Sequence, residues 1–111
     1  MADGSHEAPI LLREDAGPVA TLTLNRPKAL NALSEAMMAA LQAELDRLAT
    51  QPDAKVVILR AEGRAFCAGH DLREMQAARQ APDAGRAYFN ALFGQCSRLM
   101  TAITRTPQPV I

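Results

Sequence analysis

The 111-residue sequence predicts an α/β fold, and three observations carry that expectation. Residues 19–24 (VATLTL) alternate with a period of two; Met37, Leu41, Leu45 and Leu48 recur at helical spacing; and residues 55–60 (KVVILR) form a β-branched apolar run. In chain order they make a β-β-α-β opening.

The first strand is read in residues 10–16 (ILLREDA), where an apolar start gives way to charge before Gly17-Pro18 breaks the chain. A hairpin fits the break. In the returning strand, Ala20, Leu22 and Leu24 share one face, which suits burial, and Val19, Thr21 and Thr23 share the other. Asn25-Arg26-Pro27 ends that strand, because proline offers no ladder donor and restricts the residue before it.

Ser34 suits the N-cap of a helix with Glu35 in its first turn. Glu44, Asp46 and Arg47 fall on other faces than the apolar stripe, and the Met37-Met38 pair reads as core. Gln51-Pro52-Asp53 then turns the chain into the strand at 55–60. A glycine-bounded loop, 62–69 (EGRAFCAG), leads to a short helix near Asp71 running through Leu72, Glu74 and Met75. Residues 81–85 break it. A long helix over about 86–104 places Phe89, Leu92, Phe93, Cys96, Leu99, Met100 and Ile103 on one broad face. Pro107 and Pro109 close it, and Val110-Ile111 begin another strand. No internal repeat or low-complexity tract interrupts this order.

Composition excludes several functional classes. Apolar residues make up 49% and charged residues 22%, a globular balance that argues against disorder. Twelve Lys and Arg offset twelve Asp and Glu, so no global field draws the chain to nucleic acid or an anionic membrane. No apolar run approaches the ~20 residues that span a bilayer. The first residues, MADGSHEAP, lack the basic and apolar regions of a secretory signal, so the cytoplasm is the expected compartment. Residues 1–9 are expected to be a flexible N-terminus, holding His6 and a Gly4-Ser5-His6 stretch that resembles a cloning scar. Cys67 and Cys96 are too few for a disulfide framework and read as reduced thiols.

In the loop, Gly63 and Gly69 bracket small and apolar residues, and His70-Asp71 lead into a helix. Such a turn leaves backbone N–H groups free at the helix start, where an anion or oxyanion can bind. Its spacing matches neither a phosphate-binding P-loop nor G-x-G-x-x-G. Taken alone, the segment reads first as an ordinary strand-to-helix turn.

Two segments together say more. Asn25-Arg26-Pro27-Lys28-Ala29-Leu30-Asn31-Ala32-Leu33 resembles the N-R-P-x-x-x-N-A-L signature of the crotonase (enoyl-CoA hydratase/isomerase) family. Arg64-Ala65-Phe66-Cys67-Ala68-Gly69-His70-Asp71-Leu72 resembles that family's R-A-F-C-A-G-x-D-L signature. Residues 106–111 (TPQPVI) look like the segment preceding the family's catalytic strand. The resemblance covers residues 10–111 and identifies them as the N-terminal part of a crotonase-like domain.

The resemblance implies a crotonase-like spiral of β-β-α units, incomplete in this chain, assembled as a homotrimer or hexamer. It also implies an acyl-CoA thioester as the ligand, with hydration of a 2-enoyl-CoA as the default reaction. Coenzyme A enters as part of the substrate; no separate cofactor, metal, nucleic acid or membrane is expected. By position, the main-chain N–H of His70 is one oxyanion donor. Ala68, Gly69, Asp71 and Leu72 line the thioester end, while Lys28, Ala29 and Leu30 follow the CoA moiety, Lys28 as a point charge for phosphate. His70 departs from the small residue common there. Its imidazole is either a filler or a titratable group near the acyl chain, and it has no zinc-spaced partners. Cys67 reads as packing of a tight loop, Cys96 as core, Asp71 as a helix cap, and Arg73 and Glu74 as solvated, with a carboxylate at the pocket mouth as the alternative for Glu74. The second donor and the general acid/base carboxylates are expected downstream of Ile111, so the 111 residues by themselves are expected to be inactive. The alternative is a non-catalytic acyl-CoA-binding or assembly protein.

Overall fold

Strands β1 (Leu11–Ala16) and β2 (Val19–Leu24) pair antiparallel from Leu11 opposite Leu24 to Ala16 opposite Val19, joined by the Gly17-Pro18 turn. The chain then crosses through helix α1 (Glu35–Leu48) to strand β3 (Val56–Ala61), which lies parallel to β2. A parallel neighbour requires such a crossover, and the helix between the two strands supplies it. The computed structural model describes residues 8–111. The expectation for the N-terminus therefore falls largely outside the described residues, as do Gly4, Ser5 and His6; within them, the Asn25 side chain donates to the Pro9 carbonyl at 2.9 Å.

Alternation in β2 positions the core. Ala20, Leu22 and Leu24 are almost fully buried, facing Met37, Met38, Leu41, Leu45 and Leu48 of α1. Each of these large side chains stabilises the fold by roughly 1.5–3 kcal/mol through removal from water. Thr23, expected on the outward face, is buried too. The Ser34 hydroxyl accepts from the Met37 N–H at 3.1 Å and starts α1 where the sequence predicts.

Helix α2 (Leu72–Ala78) is short, and helix α3 (Arg86–Arg105) packs across α1. Leu92 and Leu99 of α3 join the core, with Phe89, Cys96 and Ile103 half-buried against it. The broad apolar face expected for this helix is only partly covered: Phe93 is 53% and Met100 44% exposed. The stripe is wider than the surface α1 offers it.

Val110 pairs in parallel with Val57, and the Leu59 N–H donates to the Ile111 carbonyl at 2.8 Å, so residues 109–111 extend the sheet beyond β3. Gln108, buried just before this pairing, donates from Nε2 to the carbonyl of Leu48 at the end of α1. The same carbonyl accepts from the Gln51 N–H at 3.0 Å, so Gln108 ties a locally closed helix end to a segment 60 residues away.

Candidate functional site

Two loops meet at one end of the sheet. The first leaves β2, makes a single 3-10 turn over Pro27–Ala29, and passes through Leu30 and Asn31, both with positive φ, into Ala32 and Leu33. The second leaves β3 and reaches Asp71 by way of Gly63 and Gly69, whose φ values of 86° and 95° favour glycine. A Cβ on Gly63 would stand 2.8 Å from the Pro27 Cβ, so the loops touch where only glycine fits.

Main-chain hydrogen bonds lace them together. The Ala68 N–H donates to the Leu30 carbonyl at 3.1 Å, the Leu33 N–H to the Gly69 carbonyl at 2.7 Å, and the Asp71 N–H to the Leu33 carbonyl at 3.0 Å. Leu33 and His70 thus form a parallel bridge. In that geometry the bonded groups belong to the neighbours of His70, and the N–H and C=O of His70 point the other way. Among the described residues the His70 N–H donates to no acceptor.

A cleft of about 480 Å³ lies where the loops meet, lined by Lys28 and Ala29 on one wall and by Ala68, His70, Asp71 and Leu72 on the other. Of the residues singled out by sequence, Leu30 and Gly69 are not part of the lining. Leu30 stands behind the wall with its carbonyl on Ala68, and Gly69 spends its carbonyl on Leu33. The cleft adds three residues that sequence reasoning missed, Arg26, Ala32 and Arg73. Arg26 and Ala32 sit inside the first motif and Arg73 directly follows the second, so nearness to the motifs was the available signal. Three cations, Arg26, Lys28 and Arg73, face one carboxylate, Asp71, which biases the cleft towards anions.

Asp71 is committed as a cap. Its Oδ1 accepts from the N–H groups of Arg73 at 3.0 Å and Glu74 at 3.3 Å, and its Oδ2 from the Arg26 guanidinium at 3.4 Å. Glu74, expected to be solvated, is half-buried, and its Oε1 accepts from the Glu35 N–H at 2.9 Å. It serves the exposed first turn of α1, where backbone donors lack helical partners. Arg73 is exposed, as expected. The Cys67 sulfur accepts from the Gly69 N–H at 3.4 Å, in keeping with a packing role inside a tight loop.

The His70 ring stands edge-on to Phe93, with centroids 6.1 Å apart and planes at 66°, and its Nδ1 is buried without a partner among the described residues. Phe93 stacks on Phe89, which meets Tyr88 edge-on. The Tyr88 hydroxyl is likewise buried without a partner among the described residues. Burial, then the nearby carboxylates of Glu74, Glu35 and Asp71, push this phenol above its ordinary pKa. Among the described residues no group of three or more His, Cys, Asp or Glu stands close enough to hold a metal ion, and no helix is long and apolar enough to cross a membrane.

Comparison with known proteins places the fold. A family model described as enoyl-CoA hydratase/isomerase matches residues 19–111. The human enoyl-CoA hydratase domain-containing protein 3, mitochondrial, is 40% identical over 93 residues, covering 84% of this chain and 29% of that protein. The rat 3-hydroxyisobutyryl-CoA hydrolase, mitochondrial, is 35% identical over 112 residues, covering all of this chain and 28% of that protein. Among solved structures, the enoyl-CoA hydratase of Mycobacterium smegmatis superposes with a TM-score of 0.84 at 51% identity, covering 93% of this chain and 38% of that one. The chain therefore spans about three-tenths of the length of these two curated relatives. The shared architecture is the crotonase fold, of which residues 8–111 form an incomplete part.

Proposed function

Because this chain belongs to the enoyl-CoA hydratase/isomerase family, we propose that its cleft binds an acyl-CoA thioester and that the His70 N–H donates to the thioester carbonyl oxygen. The observation that carries the reading is the His70 amide, which donates to no acceptor among the described residues and lies beside a cleft biased towards anions. Adding a nucleophile at the β-carbon of a 2-enoyl thioester, or removing an α-proton, moves an electron pair onto that oxygen as an enolate. A donor fixed in advance stabilises the charge where it develops, and loss of one such donor typically lowers the rate by about 10²–10³.

Hydration is the default reaction. Water gives one proton to a carboxylate base as its oxygen bonds the β-carbon, the alkene electron pair shifts so that charge develops on the thioester oxygen as an enolate, and a carboxylic acid delivers one proton to the α-carbon as the enolate collapses. Lys28 and Ala29 would follow the CoA moiety, with Lys28 available to its phosphates, and no separate cofactor is required. Asp71 and Glu74 are both engaged by backbone donors. Proton transfer is therefore assigned to carboxylates other than these two, and a trimeric or hexameric assembly remains part of the proposal.

That same engagement favours one alternative, an acyl-CoA-binding protein without catalysis. Titrating the ¹⁵N-labelled chain with butyryl-CoA, and separately with CoA, tests both readings. The thioester is expected to move the His70 amide proton downfield, whereas CoA alone moves only Lys28 and Ala29. A His70 signal that ignores saturating butyryl-CoA would overturn the donor assignment. Turnover is tested separately with 2-butenoyl-CoA and the full-length protein, where binding with no loss of enoyl-thioester absorbance would favour the non-catalytic reading.

A further inference from the structure

Leu30 and Asn31 are consecutive residues in the left-handed region, at φ 53° and 54°. Asparagine tolerates that region better than most residues, and leucine gains nothing there. Such pairs persist where the surroundings over-determine them, and they concentrate at functional sites.

Here the surroundings act through one carboxamide. Asn31 is fully buried. Its Oδ1 accepts from the Arg26 N–H at 2.7 Å, and its Nδ2 donates to the carbonyls of Glu62 and Ala65, both at 2.8 Å. The Asn31 N–H returns to the Arg26 carbonyl at 2.9 Å, closing the loop upon itself. Both amide protons of the side chain are satisfied, so its orientation is fixed.

Asn31 is not among the residues lining the cleft, but its bonds end on both segments that build it. One is the 26–32 wall; the other is the stretch at 62–65 that leads into the Ala68–Asp71 turn. The left-handed step at Leu30 sends its carbonyl to the Ala68 N–H, and Leu33 then engages Gly69 and Asp71. These bonds occupy the groups on either side of the His70 amide and leave that amide to the cleft.

We propose that Asn31 is a positioning residue: its buried carboxamide locks the two loops in the register that aims the His70 N–H into the cleft. The assignment rests on the reading of His70 as the thioester donor. Asn31 touches no ligand, so its removal should impair recognition of the acyl carbonyl while leaving the CoA contacts of Lys28 and Ala29 in place.

Asn31→Gly separates these effects, because glycine adopts the backbone angle freely but makes none of the three side-chain bonds. With the folded ¹⁵N-labelled variant, CoA should still move Lys28 and Ala29 as in the parent chain. The preference for butyryl-CoA over CoA should fall about tenfold, the equilibrium worth of one hydrogen bond, and the His70 amide should lose its downfield response. Asn31→Asp, nearly isosteric, points an oxygen instead of an N–H₂ group at two carbonyls and should lose the same response at neutral pH. A folded variant of either kind that keeps the full His70 response overturns the assignment. So does failure of both variants to fold, since Asn31 would then hold the whole unit together, not the turn. If the parent chain itself shows no His70 response, it is the thioester-donor reading that falls, whatever the variants do.

Discussion

Leu33 and His70 face each other across a parallel bridge in which Leu33 spends both its N–H and its carbonyl and His70 spends neither. This asymmetry can be read directly by native-state hydrogen exchange. The Leu33 and Asp71 amides are expected to be protected and the His70 amide to exchange much faster, although it lies between bonded neighbours. Equal protection of His70 and Asp71 would contradict the bridge geometry.

The two loop glycines are not equivalent. At Gly69, a Cβ would meet nothing within 4 Å, so Gly69→Ala carries only the conformational penalty of positive φ, about 1–2 kcal/mol. Gly63→Ala adds a 2.8 Å approach to the Pro27 Cβ and should lose roughly a further 1–3 kcal/mol as the loops are forced apart. Denaturant midpoints of the two variants should rank in that order; the reverse ranking would mean that the Pro27 contact yields easily.

Asp71→Ala removes the cap of α2 and the partner of Arg26 together. The expected loss is about 1 kcal/mol for the cap, with fraying of Leu72–Ala78 visible by amide exchange. Asp71→Asn keeps an acceptor oxygen for the helix and should retain most of the stability, which unfolding curves of both variants would show.

Much of this architecture is legible in the sequence. The alternation of β2, ended by Pro27, marks a half-buried strand, and Ser34 and Asp71 announce two helix starts because short polar side chains can reach backbone donors two or three residues on. What escapes is information that depends on distant neighbours. Helical spacing groups Phe93 and Met100 with Leu92 and Leu99, yet how much of that face is covered depends on the width of α1. Glu74 serves the start of α1 from 39 residues away, so no local rule finds it. Asn31 reads as a motif letter until its left-handed backbone and its two long-range bonds to Glu62 and Ala65 are seen.

Acid should expose the role of Glu44. Its carboxylate accepts from Arg47 at 2.7 Å and Arg13 at 3.2 Å, and these bonds, that with Arg47 foremost, hold it below its ordinary pKa of 4.5 against partial burial. On acidification the unfolded chain takes up a proton at this site before the folded one does. The stabilisation is therefore complete above pH 4.5 and lost as the pH falls through the lower folded value. With Arg47 largely exposed, the gain should be no more than about 1 kcal/mol. Melting temperatures of the parent chain and Glu44→Gln should differ at neutral pH and converge in acid; a constant gap would remove Glu44 from the account.

Tyr88→Phe tests the opposite situation, a buried hydroxyl without a partner. Its removal should leave stability unchanged or raise it by up to about 1 kcal/mol, because no hydrogen bond is lost and the desolvation penalty of an unpaired polar group disappears. A clear loss of stability in thermal melts would reveal a partner for the hydroxyl, such as an ordered water.

The grip of Gln108 on the last turn of α1 has a kinetic corollary. The carbonyl of Leu48 accepts locally from the Gln51 N–H at 3.0 Å and, from 60 positions further on, from Gln108 Nε2. As the chain leaves the ribosome, α1 and its final turn can close on their own, and Gln108 then adds a second bond that holds the turn against fraying. That reinforcement waits for the segment that also adds Val110 to the sheet.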